Sequence, residues 1–173
     1  MKKFFTIIFI LFIPLFNIAK ANNNLAFIDM DKILSKSKPG LAFVNQLKEL
    51  NKNNIENFKK SEKILKEKEA KLISQKNVIS EDQFKKEVIQ LKSDIKKYND
   101  EKKKTITNFN SIKINNTNKL IQLINPLLKK YADEFSISVI LQKKDIVMGK
   151  SEYDITDKMI VIVNKDIKEF KIK

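Results

Sequence analysis

Residues 41–80, LAFVNQLKELNKNNIENFKKSEKILKEKEAKLISQKNVIS, and 81–112, EDQFKKEVIQLKSDIKKYNDEKKKTITNFNSI, decide the fold. Neither contains Gly or Pro. In the first, Val44, Asn51, Phe58, Leu65, Leu72 and Ile79 recur every seven residues, the period of a helix packed along another helix. The companion positions Leu47, Asn54, Ser61, Lys68 and Gln75 are mostly polar, so the seam is about half the width of an ordinary zipper. Residues 77–80 interrupt the pattern, and Ser80-Glu81-Asp82-Gln83 has the form of a capping box that opens a second helix. There the apolar positions Phe84, Val88, Leu91, Ile95, Tyr98, Phe109 and Ile112 alternate by fours and threes, with Lys102 and Thr105 as interruptions. So short a break predicts an antiparallel hairpin whose ascending arm, 41–76, reaches on the order of 50 Å. The fold-back is expected to bring Phe58 towards Phe109.

Outward from the hairpin, Leu120, Leu123, Ile124, Leu127, Tyr131 and Phe135 form a wider apolar face, and Pro126 within it is expected to kink or restart the helix. Residues 136–142 alternate, with Ile137, Val139 and Leu141 on one face. Through Lys143-Lys144-Asp145 they lead to Ile146-Val147-Met148, which reads as a β-hairpin. Asp154 is placed as the N-cap of a last helix, with Asp157 at its positive end. Residues 160–163 are β-branched, yet Ile155, Met159 and Val163 at spacing four favour helix there. Before the long arm, 25–29 is a short apolar strand, Asp29 caps a short helix through Met30, Ile33 and Leu34, and Lys38-Pro39-Gly40 ends it.

Residues 1–21 have the form of a cleavable secretory signal peptide. Lys2 and Lys3 supply the positive start, 4–18 the apolar core, and Ala19-Lys20-Ala21 the small residues of a cleavage site. Export is therefore expected. Removing the three lysines of 1–21 lowers the net charge from +14 to +11, enough to attract anionic lipid, lipopolysaccharide, nucleic acid or acidic proteins at long range. All 35 basic residues are Lys, and a Lys-, Asn- and Ile-rich composition is an equally good source of that charge. With no Cys and no His, disulfides, thiol chemistry and the usual zinc sets are excluded. Only two Gly and three Pro disfavour a many-turned β domain. The expected class is mainly α with a small β body, divided as 22–40 (strand and short helix), 41–119 (hairpin arm) and 120–173 (arm base, strands and last helix).

Together, Ala26-Phe27-Ile28-Asp29-Met30, Leu34, Ser37 and Gly40 at one end, and 137–141, Ile146-Val147-Met148 and Asp154-Ile155-Thr156 at the other, resemble the Skp/OmpH family of periplasmic chaperones. The resemblance implies a jellyfish-shaped homotrimer. In it the chain ends meet in a β-rich body, and three helical arms enclose unfolded outer-membrane proteins without ATP or any cofactor.

On that reading the oligomerisation body comprises Leu25, Phe27, Ile28, Ile137, Val139, Leu141, Ile146 and Met148. Short strands expose edges that a second copy covers economically. Client-facing apolar candidates are Ile55, Ile64, Ile73, Ile89, Ile106 and Ile114, which lie off the seam; the alternative is stray exposed aliphatics. Electrostatic candidates are Lys59, Lys60, Lys85, Lys86, Lys96, Lys97, Lys102, Lys103 and Lys104, whose alternative is a merely solvated face. No nucleophile, base and orienting group converge, so no enzyme and no catalytic residue is expected. Two other classes remain open: a structural coiled-coil adaptor of an envelope or export complex, and a basic protein binding nucleic acid or membrane surface. Nucleic acid is disfavoured by the export signal and by the absence of Arg, which makes bidentate contacts.

Overall fold

A computed structural model describes residues 24–172; segment 1–21, for which the sequence predicts a signal peptide, lies outside the described residues. The order is β1 (Asn24–Ile28), α1 (Met30–Lys36), α2 (Lys38–Gln75), α3 (Glu81–Glu134), β2 (Ile137–Gln142) and α4 (Thr156–Asp166). Two 3-10 turns, Lys143–Asp145 and Ser151–Tyr153, lie between β2 and α4. The mainly helical architecture with a small sheet is the class the sequence predicts.

The first three helices each start where a side chain satisfies an orphan amide. Asp29 accepts from Lys32 N, Ser37 from Gly40 N and Ser80 from Gln83 N. Because Ser37 is itself a cap, Lys38-Pro39-Gly40 forms the first turn of α2 as well as the end of α1, with Pro near N1 where its missing amide costs nothing. Gly40 is needed there for room. A Cβ on it would stand 2.1 Å from the Leu34 carbonyl oxygen, so α1 and α2 meet backbone to backbone.

α2 has 38 residues and α3 has 54, about 57 and 81 Å at 1.5 Å per residue. They pack antiparallel, and the register differs from the expected one. Phe58 meets Tyr98 edge-to-face at 6.5 Å, eleven residues before Phe109 along the return arm. The tight apex is the cause: Phe58 and Tyr98 each stand 20 residues from Val78, so a turn that short fixes which residues face each other. α3 also runs unbroken through Pro126, with no restart. Pro126 leaves the Gln122 carbonyl without its helical amide, and Gln122 is an exposed residue. The helix finally stops at Phe135, followed by Ser136 at φ 52°, a left-handed step that redirects the chain into β2.

β2 pairs with β1, and the pairing is parallel: Leu25 with Val139, Ala26 with Ile140, Phe27 with Leu141, Ile28 with Gln142. Parallel strands need a long crossover, and here the whole helical hairpin serves as one. The expected β-hairpin of 137–142 with Ile146-Val147-Met148 does not form. Lys143–Asp145 makes a 3-10 turn closed by Ile146 N on Lys143 O, and Val147 and Met148 stand 104% and 91% exposed. β1 instead bridges Asp154 on its other side through Phe27.

The core lies where the arm roots meet the chain ends. Ala26, Ile28, Ile33, Phe43, Leu120, Ile124, Tyr131, Ile155, Met159, Val163 and Phe170 form one buried cluster. Residues 159–163 are helical, as spacing four predicts, because Met159 and Val163 turn into this cluster.

Candidate functional site

The two chain ends are joined by Asp154-Ile155-Thr156. The Asp154 carboxylate accepts from Thr156 N at 3.0 Å, Ile155 N donates to Phe27 O at 3.0 Å, and Thr156 Oγ1 accepts from Asp29 N at 2.8 Å. Three consecutive residues thus tie the start of α4 to β1 and to the cap of α1. The N-cap position is Ile155, not Asp154 as the sequence suggests; Asp154 acts one residue earlier, by closing an Asx turn. Its second oxygen takes the Lys143 ammonium at 2.8 Å. Burial pushes the Asp154 carboxyl up, but Lys143 and the Thr156 bonds outweigh this and hold it below its ordinary range. Asp157 sits in the first turn of α4 as expected and pairs with Lys32 at 2.6 Å.

Alternation divides the β residues between two faces. Ala26, Ile28 and Ile140 turn towards the core, with Ile137 packed against it. On the other face Leu25, Val139 and Leu141 remain exposed, while Phe27 is covered by Lys143, 5.9 Å above its ring, and by Gly149, where a Cβ would stand 2.9 Å from the ring edge. The predicted body residues therefore separate. Phe27 and Ile28 are internal, Leu25, Val139 and Leu141 form an apolar outer face, and Ile146 is half-buried next to the exposed Val147 and Met148.

In the arm, the six candidate isoleucines are all exposed. They do not form one stripe. Ile55, Ile64 and Ile73 are nine residues apart, which at 100° per residue sets Ile64 on the opposite side of α2 from the other two. The lysines divide as well. Lys85 is paired with Glu81 at 2.6 Å and Lys96 with Asp100 at 2.9 Å along α3, whereas Lys59, Lys60, Lys86, Lys97, Lys103 and Lys104 lie exposed.

Lys102 belongs to neither group. It crosses the seam to Glu62 at 3.0 Å and lies 5.4 and 5.3 Å from the ring centres of Phe58 and Tyr98. The Tyr98 hydroxyl also donates to Glu62. The Tyr98 bond, then the Lys102 bond and charge, hold the Glu62 carboxyl below its ordinary range. A second crossing, Lys68 to Asp94 at 2.7 Å, fills the level where Ile95 was expected and where Ile95 instead faces out; the Lys68 bond lowers the Asp94 pKa. A search for apolar spacing alone does not predict these ionic rungs. The signal was present: Lys68 is a companion position, and Lys102 stands on the four-three frame.

Near the apex the arms part into a cleft of about 410 Å³ lined by Leu72, Gln75, Ile79, Gln83, Gln90 and Leu91 among others. Among the described residues no group of three or more Asp or Glu could hold a metal ion. No helix among them is long and apolar enough to cross a membrane.

The sequence model of a family described as outer membrane protein (OmpH-like) matches residues 24–162. No curated protein sequence gives a significant match. Among solved structures, a candidate outer membrane chaperone (OmpH-like) from Caulobacter crescentus CB15 superposes with a TM-score of 0.80 at 15% identity, covering 87% of this chain and 89% of that one. At that identity the likeness is one of fold.

Proposed function

The chain belongs to the OmpH-like outer membrane protein family, and from that premise we propose that it is a periplasmic chaperone of the holdase type. It binds unfolded outer-membrane proteins between helical arms and keeps them from aggregating, without ATP. The observation that carries this reading is the division of labour along the chain. Two helices of 38 and 54 residues extend well beyond the core, and they carry exposed isoleucines and lysines on several sides. Such an arm offers many weak contacts and no single shaped site. Weak contacts suffice when a client is surrounded by several arms, because effective concentration multiplies them.

Several arms require several copies. The outer face of Leu25, Val139 and Leu141, the outer edge of β2, unpaired among the described residues, and the exposed Val147 and Met148 all offer uncovered surface. A two-stranded sheet is marginal alone, and pairing between copies covers both its edge and this face. On this reading the assembly is a homotrimer, residues 1–21 direct export, and the exposed lysines add long-range attraction to acidic clients and to anionic lipid or lipopolysaccharide.

The test is light scattering. An outer-membrane barrel protein diluted from urea is expected to stay clear in the presence of a small excess of trimer equivalents and to become turbid without it. Turbidity that is unchanged at tenfold excess would exclude the holdase reading. The same samples, measured for mass in solution, report the number of copies.

A further inference from the structure

Beyond α4, and beyond the residues matched by the family model, segment 167–172 lies back across the roots of both arms. Its anchor is Phe170, 4% exposed. The ring meets Phe43 of α2 edge-to-face at 5.7 Å, and the Lys119 ammonium of α3 lies 5.8 Å above it. The main chain on either side is held by one side chain. Gln46 donates from Nε2 to the Phe170 carbonyl at 2.8 Å and accepts at Oε1 from Ile172 N at 3.1 Å. A glutamine amide presenting one donor and one acceptor to residues i and i+2 treats them as a neighbouring strand would. Lys171 between them faces solvent.

This slot therefore reads three things: an aromatic ring, extended main chain, and an aliphatic residue two positions on. It reads nothing of the side chain between. Alternation of apolar and polar residues with aromatic belts is the pattern of a membrane β-strand. We propose that the slot formed by Phe43, Gln46 and Lys119 is a docking site for an extended aromatic–x–aliphatic segment of an unfolded barrel protein, and that segment 167–172 occupies it as a built-in competitor until a client displaces it. The inference rests on the holdase reading for the identity of the client, but not for the existence of the slot. An attached segment competes at an effective concentration on the order of millimolar, so only clients offering several such segments, or bound elsewhere as well, would displace it. Idle arms would then keep their roots closed.

The probe is a fluorescein-labelled peptide with the sequence of residues 168–173, KEFKIK, followed by anisotropy with the full mature chain. Phe170→Ala, which leaves the slot intact but removes its resident ring, is expected to bind the peptide at least tenfold more tightly than the native chain. Adding Gln46→Ala should return the affinity towards the native level, and a peptide with Ala for Phe should not bind. An unfolded barrel protein should compete the peptide off Phe170→Ala. Equal, weak binding by native and Phe170→Ala proteins of native helix content would overturn the proposal, as would failure of a soluble-held client to compete. A chain stopped after Ile167 guards against misfolding of the point variant; loss of native helix content in both would make 167–172 plain core and overturn it too. Aggregation suppression separates the two readings: a native chain that keeps clients soluble while neither variant binds peptide leaves the holdase and removes the slot, and the reverse result leaves the slot and removes the holdase.

Discussion

The root of the molecule and its arm are built from the same helices by opposite means. At the root, Leu120, Ile124, Met159 and Val163 are wholly buried, and the buried polar Thr156 and Ser37 each have partners given by the fold. Some twenty to twenty-five residues up the arm, the seam side chains are half-buried and the arms are joined by a few ionic rungs in contact with water. A root held by burial resists change of shape everywhere except where a peripheral segment such as 167–172 can be exchanged for one that packs alike. An arm held by thin seams and exposed ion pairs, each worth little, can open locally without unfolding the whole. The difference suits a protein whose arms must adapt while its body stays put.

The comparison can be broken most severely at Gly40. Alanine there would press its Cβ against the Leu34 carbonyl, and neither partner is a flexible side chain. We expect Gly40→Ala to cost about 4 kcal/mol, at the upper end for single substitutions, with the loss seen in the urea midpoint of the whole chain. A cost under about 1 kcal/mol would mean that α1 and α2 separate easily, and that the root is less rigid than its burial implies.

A matched pair of leucines tests the contrast directly. Leu120, wholly buried at the root, should lose about 3 kcal/mol as Ala, within the range for large core truncations. Leu72, half-buried in the distal seam, should lose only about 1 kcal/mol, since less of it leaves water. Hydrogen exchange would separate them further: Leu120→Ala should accelerate exchange throughout, Leu72→Ala only in distal arm amides. Equal, global effects would show arm and root to be one cooperative unit.

The sequence spoke clearly about the arm because its signals are local. Seven-residue spacing, the Ser80 cap and a short break are statements about neighbours; the cap and the break stand in the structure, and the spacing holds from Phe58 to Ile79, while Asn51 is exposed and Leu50 and Asn54 are half-buried instead. What it concealed is non-local. Nothing in 137–142 says that its partner lies at 24–28, more than a hundred residues away, so a local β-hairpin with 146–148 was the natural expectation. Asp154-Ile155-Thr156 was recognisable as a motif, but its work, tying α4 to Phe27 and Asp29, depends on groups brought in by the fold. Phe170 and Gln46 gave no periodic signal at all. Along the arm, the error of one helical position at Ile95 came from assuming that a seam must be apolar, when Asp94 with Lys68 fills it instead.

The finest test concerns what the rungs contribute, and pH reaches them without mutation of the seam. The Tyr98 and Lys102 contacts place the folded-state pKa of Glu62 below its usual 4.5, so the carboxylate stabilises the closed arm at and above that pH. As pH falls through the lowered folded value, Glu62 takes up a proton, Lys102 loses its counter-charge, and the contribution disappears. Because the chain has no Cys, Lys59→Cys and Lys97→Cys can be spin-labelled cleanly on exposed positions beside Phe58 and Tyr98. Their distance distribution should be narrow at neutral pH and broaden only once the pH falls below the ordinary carboxylate value of 4.5, with helix content retained. In a Glu62→Gln background it should be moderately broad at neutral pH and change less on acidification, the remaining response belonging to Asp94 with Lys68. Identical acid responses in both backgrounds would show that the rung at Glu62 is incidental, and that apolar contacts such as Phe58 against Tyr98 alone set the register of the arm.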